Sequence, residues 1–229
     1  MERVLVTGAS RGIGQAIAVR LAGPDREIVL HGRDRDALAA TLRLVREREG
    51  QGRIVVGDLA QVEDVTALVD AVDGPLHVLV NNAGGAVVKP LEQIALDEWQ
   101  RGLAVTVTAP FLLIQRLLPR MPAGAGVVNI LSIAARRGFA GWSAYCASKF
   151  ALEGLTQAVR EETRSRGVRI INVYPAATRT AFWDGVAGTW PRDRMIAPAE
   201  VADAVAFALE RPPGVVVETL EVGDISGAI

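Results

Sequence analysis

Short runs of Val, Ile and Leu recur along the chain at residues 3–6, 28–30, 54–56, 76–80, 127–131, 168–174 and 215–220. Each is too short for a helix and too uniformly apolar for a half-exposed strand, so each reads as a strand buried on both faces. Between them, at 15–21, 36–48, 62–72, 99–111, 144–164 and 199–210, apolar residues follow a helical period. Pro198 stands near the first turn of the last segment, where a missing N–H is harmless. The alternation predicts an α/β fold, a doubly wound, mostly parallel seven-stranded sheet with helices on both faces, as one domain over residues 1–229. Ligands bind such sheets at the carboxyl ends of the strands, so polar residues just after strands are the first candidates for chemistry.

One segment, about 180–197, escapes the rhythm. It holds Gly185, Gly188 and Pro191, and its Phe182, Trp183, Trp190 and Met195 follow no period, which predicts a mobile substrate lid. Composition narrows the classes of function. The 229 residues are 50% hydrophobic and 22% charged, enough for one large core. The net charge of -1 and the lack of a basic stripe exclude nucleic acid as an expected partner. Cys146 is the only cysteine, and neither it nor His31 and His77 has metal-ligand spacing, so no metal site is expected. Met1 leads straight into the first strand, with no apolar leader and no unbroken apolar stretch of spanning length. A cytoplasmic protein without a membrane partner is the expectation.

The first strand ends in Thr7, Gly8, Ala9, Ser10, Arg11, Gly12, Ile13 and Gly14, and a helical pattern begins at Gln15. Glycines let the backbone approach a pyrophosphate, and the open N–H groups and dipole of the following helix stabilise its charge. Such a turn alone is weak evidence for a dinucleotide. Its spacing, with three residues between Gly8 and Gly12, resembles that of the short-chain dehydrogenase/reductase family. Further matches follow in that family's order: Asp58 and Leu59 after the third strand, Asn81 to Gly84 after the fourth, Ser132 after the fifth, then Tyr145 and Lys149. The resemblance runs essentially end to end and implies a Rossmann-type sandwich that carries a nicotinamide cofactor.

By this resemblance Asp58 and Leu59 flank the adenine, and the turn with Asn81, Asn82, Ala83 and Gly84 lines the cofactor and braces the sheet. Pro175, Thr178 and Thr180 resemble the family turn that meets the nicotinamide carboxamide, with Ala176 where a glycine is customary. The family chooses between NAD and NADP after the second strand, here at Gly32 and Arg33. With no acid at Gly32, Arg33 can meet the 2′-phosphate of NADP with Arg11 opposite, so NADPH is favoured over NADH. Asp34, 20 residues after Gly14, is the counter-indication, since it could hold a ribose hydroxyl.

Hydride reduction of a carbonyl needs an acid for the developing alkoxide, a donor that orients the carbonyl and a cation that tunes the acid. Tyr145, Ser132 and Lys149 can supply these. Tyr145 and Lys149 are at i and i+4 on one helix face, and with two tyrosines in the chain a chance Tyr-x-x-x-Lys match is expected only roughly 0.02 times. Positive charge from Lys149 and an oxidised nicotinamide is expected to lower the tyrosine's pKa. The resemblance adds that Lys149 binds the nicotinamide ribose and Ser132 the substrate oxygen. A fourth family residue, usually asparagine, is Thr106 here, which implies a slower or rerouted proton relay.

Six of the eleven aromatic residues (5 Phe, 4 Trp, 2 Tyr) are Phe139, Trp142, Tyr145, Phe182, Trp183 and Trp190, in the two segments expected around the substrate. They suggest an apolar or aromatic carbonyl compound or the matching alcohol, or else rings that pack a lid or an interface. Family members assemble as dimers or tetramers through two long helices, here around Trp99 to Leu118 and Ala144 to Arg164, implying a homo-oligomer. Two alternatives stay open. One is a reductase of 3-oxoacyl groups on a carrier, favoured if Arg136, Arg137, Arg192 and Arg194 converge near the lid. The other is a noncatalytic NADP(H)-binding sensor or scaffold, which Thr106 alone encourages.

Overall fold

The computed structural model describes residues 1–186, 188–212 and 214–227; Ala187 of the predicted lid and Pro213, Ala228 and Ile229 of the predicted domain lie outside the described residues. Seven strands form one sheet: β1 (Glu2–Thr7), β2 (Arg26–Gly32), β3 (Gln51–Val56), β4 (Val78–Asn81), β5 (Gly126–Ile130), β6 (Arg169–Pro175) and β7 (Thr219–Val222). Their order is β3-β2-β1-β4-β5-β6-β7 and every pairing is parallel. Seven α-helices connect them: α1 (Gly12–Arg20), α2 (Arg35–Glu47), α3 (Val62–Ala71), α4 (Leu96–Leu103), α5 (Ala109–Leu117), α6 (Ser143–Thr163) and α7 (Pro198–Leu209).

The two-residue period of the strands builds the layers. Val4 and Val6, Ile28 and Leu30, Val78 and Val80 pack on one side with Ile17 and Leu21 of α1 and Val201 and Val205 of α7. Leu5, Val29 and Leu79 turn to the other side, against Leu68 of α3 and Leu113 and Leu117 of α5. At about 1.5–3 kcal/mol per fully buried aliphatic side chain, these two clusters drive the fold. Every predicted strand has shifted limits, by one to four residues. Residues 76 and 77 precede β4, and β7 begins only at Thr219, where pairing with Asn172 starts; Val215 is exposed, and Val216 and Val217 pack as loop.

The second face of the sheet carries a polar seam. The Asn81 amide donates to Asn129 Oδ1 at 2.9 Å, Asn129 donates to Asn172 Oδ1 at 3.0 Å, and Asn172 donates to Thr156 Oγ1 of α6 at 2.9 Å. The Thr156 hydroxyl closes the chain on the Leu152 carbonyl at 2.9 Å. All four side chains are buried, and pairing offsets most of the cost, Asn81 Oδ1 alone in the seam being buried without a partner.

Residues 99–111, predicted as one helix, are interrupted: Ala104–Thr108 form a π-helical turn between α4 and α5. The run Leu96–Arg120 is long and apolar enough to cross a membrane by length and composition, with a mean hydropathy of 1.4, although Asp97, Glu98, Arg101 and Arg116 interrupt it. Its apolarity has a different use, because Leu113, Ile114 and Leu117 close the second core cluster.

β1 lies between β2 and β4, so the connections leaving β1 and β4 diverge to opposite faces and open a crevice above their carboxyl ends.

Candidate active site

A cleft of about 1050 Å³ opens above that switch point. Of the residues proposed from sequence as catalytic or cofactor-lining, every one but Gly14 and Asn81 lines it. Gly14 has a different task behind the wall: a Cβ there would lie 2.2 Å from the Gly8 carbonyl oxygen and 2.4 Å from Asn82 Nδ2. Gly8 has φ 65°, and a Cβ on it would meet Ala83 Cα and Asn82 Nδ2 at 2.9 Å. The turn is therefore a backbone-only surface. Arg11, the residue before α1, makes no side-chain cap, which leaves the first N–H groups of the helix for an anion.

The opposite wall is tied to this turn through Thr7, which sequence reasoning missed. Its hydroxyl accepts from Asn82 N at 3.0 Å and Ala83 N at 3.1 Å while donating to the Val80 carbonyl at 3.1 Å. The Asn82 amide donates to the Thr7 and Gly8 carbonyls at 2.8 and 3.2 Å, so it braces the glycine turn. Asn81 faces away, into the polar seam. Glycine-free walls would not admit a pyrophosphate; this cradle fits one.

At the nucleotide end, Asp34 caps α2, accepting from Asp36 N and Ala37 N at 3.0 Å each. That capping weakens the counter-indication raised from sequence, because the carboxylate already serves the helix. Arg33 and Arg11 line the cleft, and Ser10 Oγ lies 3.4 Å from where a Cβ on Gly32 would stand. Asp58 receives Ala60 N at 3.0 Å and Arg101 Nη2 at 2.6 Å. Burial pushes Asp58 up, but the Arg101 hydrogen bond, the Ala60 N–H and the Arg33 charge hold it below the usual carboxylate range. Arg101 is a cleft residue that the sequence did not flag; it reaches Asp58 from α4, 43 positions away. His31 beneath this end is desolvated to a pKa of about 4 and stays neutral.

At the centre, α6 presents Tyr145 and Lys149 from one face, and Ser132 arrives from the end of β5. The Ser132 hydroxyl accepts from Ala134 N at 3.1 Å and is within hydrogen-bonding reach of the Tyr145 phenol. Lys149 Nζ donates to the Ile130 carbonyl at 2.8 Å and lies 5.7 Å from the centre of the Tyr145 ring. Burial pushes the Tyr145 phenol up to about 12, against the Ser132 hydrogen bond that lowers it, and burial alone pulls Lys149 down to about 8. In place of the expected lowering, the Tyr145 phenol is raised, because its own burial outweighs the Ser132 hydrogen bond. Thr106 sits in the π turn, 2% exposed; its Oγ1 and Lys149 Nζ each lie 3.9 Å from where a Cβ on Gly84 would stand.

After β6, Thr178 Oγ1 donates to the Ala176 carbonyl at 3.0 Å. The Ala176 methyl lies 3.5 Å from where a Cβ on Gly223 would stand, an ordinary contact distance. Thr180 caps a 3₁₀ turn, Ala181–Gly185, by accepting from Phe182 N at 3.3 Å, and its methyl lies 3.1 Å from a Cβ placed on Gly12. The lid thereby packs over the glycine turn. Its rings gather on Trp142, which lies 5.5 Å from Tyr145, 6.5 Å from Phe182 and 5.9 Å from both Trp183 and Trp190, centre to centre.

The four arginines near the lid do not converge. Arg136 pairs with Glu221 at 2.5 Å and stacks on Tyr174, Arg137 covers Phe139, Arg192 pairs with Asp184 at 2.7 Å and Arg194 donates to Ser226 at 2.9 Å.

Residues 2–188 match the short chain dehydrogenase family. D-threitol dehydrogenase of Mycolicibacterium smegmatis is 36% identical over 220 residues, covering 89% of this chain and 84% of that protein. A short chain dehydrogenase of Burkholderia cenocepacia in complex with NADP shares 31% identity at a TM-score of 0.89, covering 97% of this chain and 96% of that one. An angucycline C-6 ketoreductase with bound NADP shares 29% at 0.86, covering 96% and 93%. The chain belongs to the short-chain dehydrogenase family. It is an NAD(P)-dependent oxidoreductase.

Proposed function

We propose that this protein interconverts a carbonyl and a secondary alcohol with NADPH as the preferred cofactor, and that Tyr145 is its acid and base. The observation that carries this reading is the meeting of Ser132, Tyr145 and Lys149 in the same cleft as a side-chain-free phosphate cradle. The bound nicotinamide supplies or accepts the hydride. Tyr145 protonates the oxygen that gains charge, Ser132 donates a hydrogen bond to the same atom, and Lys149 carries the positive charge that favours the phenolate left behind. With its pKa at about 12, Tyr145 holds its proton throughout the neutral range, the form that reduction requires.

The preference for NADPH rests on Arg11 and Arg33 at the nucleotide end, on the engagement of Asp34 as a helix cap, and on likeness to NADP-bound relatives. The ring-lined end, with Phe139, Trp142, Phe182, Trp183 and Trp190, favours apolar substrates. The engagement of all four lid arginines speaks against a carrier-protein substrate, and a sensor would have no use for a tuned phenol. The enzyme works in the cytoplasm as a symmetric homo-oligomer, joined through the outer faces of α5 and α6, where Phe111 and Phe150 stand exposed.

The test is NADPH oxidation with a ketone panel. Tyr145→Phe is expected to lose at least about 10³-fold in kcat while binding NADPH within about twofold of the wild type. Full turnover by that variant would falsify the assignment.

A further inference from the structure

Arg11, Arg33 and Arg101 share the nucleotide end of the cleft with two acids, Asp34 and Asp58. Asp34 is committed to the first turn of α2, where Oδ1 accepts from both Asp36 N and Ala37 N. Asp58 is placed beside Arg33 by the pairing of the sheet. β2 and β3 run in register as far as Gly32 and Val56, and Gly57 N then donates to the Gly32 carbonyl at 3.1 Å, so Arg33 and Asp58 are the next residues out of adjacent strands. The neighbours feel each other. Burial raises the Asp58 carboxyl, but the Arg101 hydrogen bond, the Ala60 N–H and the charges of Arg101 and Arg33 together bring it below its ordinary range.

An ionised carboxylate in that place is a difficulty for NADPH. A phosphate monoester carries a charge of about −1.5 to −2 at neutral pH, so Asp58 would both repel the 2′-phosphate and compete with it for Arg33. The 2′-hydroxyl of NADH has no charge and meets no such penalty. The opposite wall of the cleft answers the difficulty. Glu98, Arg101, Gly102 and Val105 line the cleft at helical spacing from α4 into the π turn. Glu98 is held by Lys89 at 2.5 Å, and Arg101 Nη2 donates to Asp58 Oδ2 at 2.6 Å. Asp58 Oδ1 accepts from Ala60 N at 3.0 Å, so each carboxylate oxygen has a protein donor before any nucleotide arrives.

We propose that Arg101 is a positioning residue for cofactor choice: by pairing with Asp58 across the cleft it neutralises the carboxylate beside Arg33 and leaves that guanidinium free for the 2′-phosphate of NADPH. The assignment deepens the NADPH reading and rests on it. Arg101 acts through Asp58 and needs no contact with the nucleotide. Without it, Asp58 is left to Arg33, and the clamp for the phosphate is half occupied by an internal anion.

Dissociation constants for NADPH and NADH, measured by isothermal titration calorimetry without substrate, test this in wild type, Arg101→Met, Arg101→Lys, Asp58→Asn and the double variant Arg101→Met, Asp58→Asn. Arg101→Met is expected to weaken NADPH on the order of tenfold and NADH less than about twofold, as befits an uncompensated charge facing a partly exposed dianion. Arg101→Lys keeps the charge and is expected to retain most of the preference. In the Asp58→Asn background, Arg101→Met is expected to leave the NADPH-to-NADH ratio within about twofold. Equal weakening of both cofactors by Arg101→Met is what a merely structural residue gives, and it overturns the proposal. A loss of preference that persists in the Asp58→Asn background also overturns it, because Arg101 then meets the phosphate directly. A wild type that prefers NADH overturns the NADPH reading and the proposal together. A wild type that prefers NADPH, with a ratio unmoved by Arg101→Met, overturns the proposal alone.

Discussion

A buried ammonium that donates to a backbone carbonyl and lies over a phenol ring is the most consequential single residue. Lys149 is 5% exposed and titrates at about 8 in the folded chain, against about 10.4 when unfolded. Between those values the unfolded chain binds a proton that the folded chain does not, so this group makes stability rise with pH. Denaturant titrations of the cofactor-free protein are expected to show roughly 2–3 kcal/mol of such a rise between pH 8 and 10, absent from Lys149→Met. Tyr145, raised to about 12, contributes with the opposite sign only above pH 10 and stays outside that window. The identities of Lys149, Tyr145 and Ser132 were legible because the spacing of an α-helix and the end of a strand are local properties. Their protonation energetics were not, since burial is set by residues brought together from distant parts of the chain. Arg101 and Thr7 escaped for the same reason: each acts on a partner more than 40 positions distant.

Among the elements, α2 shows how one carboxylate can be read two ways. Twenty residues past Gly14, Asp34 suggests a ribose ligand; as a cap it satisfies two backbone donors at the helix start. Asp34→Ala is expected to lose about 1 kcal/mol of stability in denaturant unfolding while the ratio of NADPH to NADH dissociation constants stays level or rises. Weakened NADH binding in that variant would return the residue to the ribose. Strands and helices themselves were largely visible, because the apolar runs are buried on both faces and the helices keep one apolar stripe. The exceptions have physical causes. β7 is an edge strand whose limits are set by pairing with Asn172 and not by its valines, and the π turn at Ala104–Thr108 leaves the hydrophobic pattern intact while rotating Thr106 inward.

For the whole molecule, the doubly wound parallel sheet and a ligand cleft at the carboxyl ends of its strands followed from alternation, whereas the strand order, the surfaces and the long-range polar pairings did not. Phe111 and Phe150, 41% and 45% exposed on α5 and α6, lie on the faces proposed to meet a second copy. The double variant Phe111→Glu, Phe150→Glu is expected to sediment as a monomer where the wild type does not, and an unchanged sedimentation coefficient would move the contact elsewhere. The asparagines shared by β4, β5 and β6 have a further effect on assembly. In a parallel sheet of interchangeable valines, a strand displaced by one residue would find equally greasy neighbours and little reason to correct itself. Here that displacement strands buried amides among aliphatic groups, at about 1–3 kcal/mol for each orphaned group. The seam therefore works as an error check during folding, rejecting misaligned sheets that hydrophobicity alone would accept, and it does so directly beneath the strand ends that must agree for Ser132 to meet Tyr145.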